Sequence, residues 1–283
     1  MNVRGIGFSH TGACRERNED SMLVDNLTGL YAVSDGLGGH PAGDVASALA
    51  IEAVAQYVNR ERAFLNRFRG QWIEEDQLAA IAAGAIEHAC RVIYETGQAA
   101  AKMEGMGCTL TVLLVGYYQA GIAHVGDSRL YLSRNQRTRQ LSSVHTLGHE
   151  LLRMGVIKEE VVGTLADGDS LMRAVGVTPR VAVDQMLIDL KHGDRFILCT
   201  DGLSDHLDQP GDLDQLLDAI PWQSSAEHLV DFANMCGGHD NATAVVVDID
   251  SSKREKRLTF EADTAPLFER GAKSSCAPCE RCQ

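Results

Sequence analysis

Four aspartates stand at the ends of apolar segments or in turns: Asp35 before Gly36, Asp127 within Gly126-Asp127-Ser128-Arg129, Asp201 before Gly202, and Asp240 before Asn241. Leu30 to Val33 leads into Asp35, Ile122 to Val125 into the Asp127 turn, and Phe196 to Cys199 into Asp201. Carboxylate oxygens are what hard divalent cations take as ligands, and a neighbouring glycine lets a backbone carbonyl approach the same ion. Strand ends are rigid mounts for such groups. A single Asp-Gly pair ordinarily only makes a turn; several in one chain call for a common purpose. A further run, Arg15-Glu16-Arg17-Asn18-Glu19-Asp20, adds two acids in Glu19 and Asp20, and in Arg15 a forked donor suited to phosphate.

The elements that must carry these residues are legible as short β-branched and apolar segments separated by turn signals. Strands are expected at Val3 to Phe8, Met22 to Val24, Leu30 to Ser34, Thr109 to Val115, Gly121 to Val125, Leu130 to Ser133, Val181 to Leu190, Arg195 to Thr200 and Thr243 to Ile249. Connections as short as Asn26 to Gly29 and Gly116 to Ala120 favour antiparallel hairpins. Two long helices are expected at about Asp44 to Asn59 and Glu74 to Ala101. In the second, Leu78, Ile81, Ala82, Ala85, Ile86, Ala89, Val92 and Ile93 share one face, so it should lie on a sheet. Shorter helices are expected at Thr146 to Met154, Asp212 to Ile220 and Ala226 to Cys236.

Composition narrows the function classes. The chain has 283 residues, 45% hydrophobic and 23% charged, which excludes wholesale disorder and fits one large domain. Residues 1–250 carry a net charge of −15 against +2 for residues 251–283, and no basic run interrupts that acidic body, so nucleic acid is not an expected partner. No apolar stretch of signal or membrane-spanning length is present, which leads to an expected cytoplasmic location without membrane association. Cys14, Cys90, Cys108, Cys199 and Cys236 are scattered singly, as thiols in a reducing compartment are. The composition shifts at Ser251, and residues 251–283 read as a polar, flexible extension after a domain spanning 1–250. That extension ends in Cys276, Cys279 and Cys282, a spacing that would suit metal or redox attachment.

Six blocks together carry a resemblance. Arg15 to Asp20, Asp35 to His40, Gly107-Cys108-Thr109, Gly126 to Arg129, Thr200 to Leu203 and Asp240 to Thr243 follow the order and approximate spacing of the PP2C-type metal-dependent protein phosphatases, and Asp35 to Ser47 resembles the bacterial branch. The resemblance implies an α+β fold, an αββα sandwich of two mainly antiparallel sheets flanked by helices. It implies a protein Ser/Thr phosphatase that uses two Mn2+ or Mg2+ ions, with a third, weaker ion in bacterial relatives. By position, Asp35 corresponds to the acid bridging the two ions and Gly36 to a carbonyl ligand. Asp201 and Asp240 correspond to further ligands, and Glu19 and Asp20 to acids touching the second ion directly or through water. Asp127 corresponds to a ligand of the third ion, shared with Asp201, and Arg15 to the phosphate-holding arginine. Phosphoproteins, among them a Ser/Thr kinase or its substrates, are the implied partners, and a monomer is the expectation.

The chain departs from the family pattern in three places. Leu37 stands where animal relatives have the histidine proposed as the leaving-group acid, leaving His40 or a metal-bound water as alternatives; Cys108 replaces a usual Thr; and Val144 precedes His145 where Asp is common. Residues 145 to 176 correspond to the family's variable flap. Rival patterns are weaker. Gly168-Asp169-Ser170-Leu171, with Asp189 and His192, spells an esterase signature but lies mid-chain after a polar loop. Gly36 to Gly39 lacks the third glycine or Gly-Lys-Ser/Thr that nucleotide binding needs. His145 and His149 are four apart on an expected helix but are not an HExxH pair, so packing within the flap is the better reading. The rival from another class is a catalytically silent phosphoprotein-binding module of the same fold, which would be expected to lack some of these acids.

Overall fold

The computed structural model describes residues 2–37, 42–68, 77–207, 209–218 and 220–250. Gly38, Gly39, His40 and Pro41 lie outside the described residues, as does the extension with Cys276, Cys279 and Cys282. Ten strands form two five-stranded sheets whose pairs are all antiparallel. One sheet has the order β1-β10-β9-β6-β7, from Asn2–His10, Ala242–Asp250, Arg195–Cys199, Arg129–Ser133 and Thr138–Gln140. The other has the order β2-β3-β4-β5-β8, from Asp20–Asp25, Leu30–Asp35, Leu110–Val115, Gln119–Val125 and Asp184–Asp189. The longer helices are α1 (Gly43–Phe68), α2 (Gln77–Ala99) and α7 (Ser225–Met235). Shorter ones are α3 (Leu147–Arg153), α4 (Glu159–Val162), α5 (Asp201–Ser204) and α6 (Asp212–Leu217).

Strand periodicity explains the layers. On β3, Tyr31 and Val33 point into a core shared with Phe196 and Leu198 of β9 and with Val245 and Val247 of β10. The alternate residues Leu30 and Ala32 pack with Ala50, Val54, Ile86 and Ala89 of α1 and α2. On the other sheet Ile197, Cys199, Ala244 and Val246 pack with Leu203, Leu213, Leu229 and Val230 of α5, α6 and α7. Both faces of each central strand are covered, which is why these strands read as unbroken apolar runs rather than as alternating ones. The result is the αββα sandwich expected from the sequence.

The differences are local. Val181 to Val183 precedes β8 rather than belonging to it, and β7, only three residues of Thr-Arg-Gln, carries no apolar pattern. Helix α1 continues past Asn59 to Phe68, while α4 and α5, four residues each, are too short to leave a periodic signal.

The helix layer sits unusually close at Gly121 of β5. A Cβ there would meet the Leu78 backbone carbonyl carbon of α2, so a backbone would have to move. Gly121→Val is expected to cost about 3 kcal/mol by overpacking. Gly163→Ala, with open space around it, should stay within about 0.5 kcal/mol of wild type. Urea unfolding midpoints of the two variants check both outcomes.

Candidate active site

Pairing brings the marked acids to one end of the sandwich. Asp20 and Asp35 are Cα partners across β2 and β3. Cys199 at the end of β9 is opposite both Arg129 and Ala244, so the turn holding Asp127, the start of α5 at Asp201 and the residues before β10 at Asp240 lie beside one another. Arg15, Glu19, Asp35, Gly36, Asp127, Asp201 and Asp240 all line one cleft of about 800 Å3, which residues 169–174 of the expected flap line as well. Gly36 packs directly against the Gly43 backbone, where a Cβ would not fit.

The loop before β2 is tied to the far end of the chain. Asn241 Nδ2 donates to the carbonyls of Thr11 and Arg17 at 2.8 and 2.9 Å, and its Oδ1 accepts from the Glu19 N–H at 2.8 Å. The Ala13 and Cys14 N–H groups both donate to the Gly238 carbonyl. This places the Arg15 guanidinium on Asp240, Nη2 to Oδ2 at 2.6 Å. Asp20 differs from the other acids: it is buried behind the cleft wall, its Oδ2 accepting from Thr200 Oγ1 at 2.9 Å and from Thr243 Oγ1 at 2.6 Å.

The acids press on one another. Burial, then the charges of Asp20 and Asp201, holds Asp35 well above the usual carboxylate range. Burial also raises Asp20 and Asp201 against their hydrogen bonds, and burial with the Asp201 charge raises Asp127. Two residues not singled out from the sequence belong to the same field. Asp205 keeps about two-thirds of its side chain in solvent, so the upward push it feels comes from the packing around its base and from the Asp201 charge, and Arg129 lies 3.6 Å from it. The signal for Asp205 was present, because it follows Asp201 by four residues and caps the short helix that Asp201 opens.

A family model described as Protein phosphatase 2C matches residues 6–234. The chain belongs to the protein phosphatase 2C family. Among its relatives, the serine/threonine phosphatase stp of Listeria welshimeri is 33% identical over 84% of this chain and 92% of that one. The serine/threonine protein phosphatase PstP of Mycobacterium tuberculosis is 35% identical over 87% of this chain, which spans 45% of PstP. A crystal structure of M. tuberculosis PstP/Ppp superposes with a TM-score of 0.76 at 32% identity, covering 88% of this chain and 99% of that one. A structure of the PstP catalytic domain in complex with two manganese ions gives a TM-score of 0.74 at 32% identity, with coverage of 88% and 98%. These matches place the chain with the bacterial members of the protein phosphatase 2C family.

The donor set suits such ions. Asp20 Oδ1 and Asp201 Oδ1 are buried without a hydrogen-bond partner, and mutually repelling carboxylates are what an added cation relieves. Among the described residues no three His, Cys, Asp or Glu side chains stand in a finished ligand arrangement; Asp240 is turned to Arg15 instead. The fit is therefore one of chemistry and convergence.

The remaining marked residues fall elsewhere. Ser170 lines the cleft, but Asp189 and His192 belong to β8 and the turn after it, at the opposite end of that strand from Asp184 and the site. His145 precedes α3 rather than lying on it, so the two histidines do not share a helix face: His149 meets Thr146 Oγ1 at 2.9 Å, while His145 turns to Asp184. Among the described residues no helix is long and apolar enough to cross a membrane.

Beneath the Asp127 turn the rings of His124 and His145 lie 4.9 Å apart. His124 donates from Nε2 to the Gly126 carbonyl and accepts at Nδ1 from Thr111 Oγ1. Burial and the facing His145, partly offset by the backbone of Ser143 and Gly126 and then by Asp184, push it down to about 4. The unfolded chain takes up this proton near pH 6.5 and the folded chain only near 4, so stability is full above 6.5 and is lost as pH falls between those values. From pH 7.5 to 5 this costs about 2 kcal/mol. His124→Gln should destabilise the protein at pH 7.5, and that deficit should shrink by about this amount at pH 5, as read by urea unfolding at the two pH values.

Proposed function

We propose that this protein hydrolyses phosphoserine and phosphothreonine on proteins with an activated water at a dinuclear Mn2+ or Mg2+ centre. The observation that carries this is the convergence of Glu19, Asp35, Asp127, Asp201 and Asp240 on one cleft beside Arg15. Asp35, Asp201, Asp240, the Gly36 carbonyl and Glu19 are the residues that would hold the two ions. Asp20 stands one layer back, where it would act through water or by orienting its neighbours, and Asp127 with Asp201 would hold a third. When bound there, a pair of divalent cations supplies an acidified water at neutral pH and positive charge facing the phosphate.

The chain's own groups supply the rest. Arg15 is held above its ordinary pKa by Asp240, with Asp201 and Asp35 further off, against the opposing effect of burial. It stays cationic, and its fork matches two phosphate oxygens. For that it must exchange Asp240 for substrate, which frees Asp240 for an ion in the same movement. Thr200 and Thr243 keep Asp20 from swinging, and Thr109 Oγ1 accepts the Asp35 N–H at 2.9 Å while bonding Ser128 Oγ at 2.7 Å, so the Asp35 and Asp127 turns are fixed together. Leu37 lines the cleft and has no ionisable proton to give, so the leaving oxygen takes its proton from His40 or from water rather than from that side chain. A Ser/Thr kinase or its substrates are the phosphoproteins on which it would act, as a monomer in the cytoplasm.

With Mn2+, wild type should release phosphate from a phosphothreonine peptide and EDTA should stop it. Asp35→Ala should lower kcat by about 10^3-fold or more, on the scale of losing a principal electrostatic group, while Ser170→Ala stays within about threefold of wild type, since no esterase nucleophile is needed. Absence of release from p-nitrophenyl phosphate and peptide alike, indifferent to EDTA, would support a silent binding module instead.

A further inference from the structure

His145 holds both backbone groups of Gly126, the residue before Asp127. The Gly126 N–H donates to His145 Nδ1 at 3.1 Å, and the His145 N–H donates to the Gly126 carbonyl at 2.9 Å. That carbonyl also accepts from His124 Nε2 at 3.1 Å. Gly126 has φ +114°, in the left-handed region, and a Cβ there would lie 2.6 Å from the Thr109 side chain. The turn therefore needs glycine at this position, and its N–H is taken by the His145 ring while its carbonyl is taken by the His145 backbone and the His124 ring.

The other side of the same ring faces the flap. Because a backbone N–H can only donate, Nδ1 is the bare nitrogen and Nε2 carries the proton. Nε2 donates to Asp184 Oδ2 at 3.1 Å, and Asp184 Oδ1 accepts from Arg173 Nη1 at 2.6 Å. Arg173 lies 3.2 Å from Nε2 as well, but its acceptor is the carboxylate. The Met172 N–H donates to the His145 carbonyl at 2.8 Å. Met172 and Arg173 line the same cleft as the acids. One buried ring thus links the residue before Asp127 to a flap segment that lines the cleft.

We propose that His145 is a positioning residue, which aims Asp127 into the cleft through Gly126 and seats the flap through Asp184 and Arg173. The proposal rests on the phosphatase reading above for its consequence in catalysis, and on the hydrogen bonds alone for its consequence in ion binding. Groups one step behind a ligand typically change ion affinity 10- to 100-fold when lost.

The two amides distinguish the two ring nitrogens. In His145→Asn the Oδ1 reaches the place of Nδ1 and still accepts the Gly126 N–H; in His145→Gln the amide reaches toward Asp184 and leaves that N–H unpaired. Mn2+ titration followed by electron paramagnetic resonance needs no turnover. It should show the weakest bound ion losing about tenfold in affinity in His145→Gln and staying within about threefold in His145→Asn. With saturating Mn2+ and p-nitrophenyl phosphate, kcat should follow the same order while KM stays within about twofold. Equal ion affinities in two folded variants, whether both lowered or both unchanged, overturn the proposal. Should His145→Gln not fold, 15N resonances of the wild type decide: a bare Nδ1, a protonated Nε2 and a Gly126 amide that moves on Mg2+ addition are expected, and a protonated Nδ1 or an indifferent amide overturns it. A wild type that binds Mn2+ in this pattern but releases no phosphate would refute the phosphatase reading and leave the positioning role standing.

Discussion

Carboxylates crowded at the end of a sandwich repel one another, and that repulsion is the condition the rest of the molecule is arranged around. Asp20, Asp35, Asp127 and Asp201 are all raised by burial, and each feels at least one of its neighbours. Such a cluster stays assembled only because the backbone leaves it no alternative. Asp20 and Asp35 are fixed by ladder register, and Asp201 follows directly on the strand that joins β6 and β10. Three cores, one between the sheets and one under each helix layer, hold those ladders in place. Stability stored in the cores is thus set against electrostatic strain at one edge, a familiar arrangement where a site is built for a counterion.

Hydrogen bonds convert this crowding into a site with direction. Asn241 ties the loop of Arg15 and Glu19 to the start of β10 through three bonds, and the pair Thr200 and Thr243 pins Asp20. Arg15 on Asp240 is an exposed ion pair at the heart of the cluster. An exposed pair of this kind contributes little to stability, so exchanging it for a phosphate and an ion meets a small barrier. The same logic places His145 and Asp184 at the seam between the acids and the flap.

Much of this was legible in the sequence, for physical reasons that also mark the limits. The strands stand out because both faces are buried, and Asp35, Asp127, Asp201 and Asp240 stand out because each sits where a strand or turn must end. Gly36 could be read as tight backbone, but not as a contact with Gly43 across the intervening loop, nor could Gly126 be read as a contact with Thr109, seventeen residues away. Asp205 is marked in the sequence only by its spacing of four from Asp201, since a four-residue helix has no periodicity, and β7, a short edge strand of polar residues, has none either. His145 was weighed as a possible partner of His149 from its spacing; only the position of β8 shows that its partner is Asp184.

The account is tested most directly by a crystal soaked in Mn2+ and measured at the manganese absorption edge. It predicts two anomalous peaks in the cleft with Asp35 shared between them and Asp240 turned from Arg15 onto one of the ions. Absence of peaks there, with Arg15 still bonded to Asp240, would contradict it.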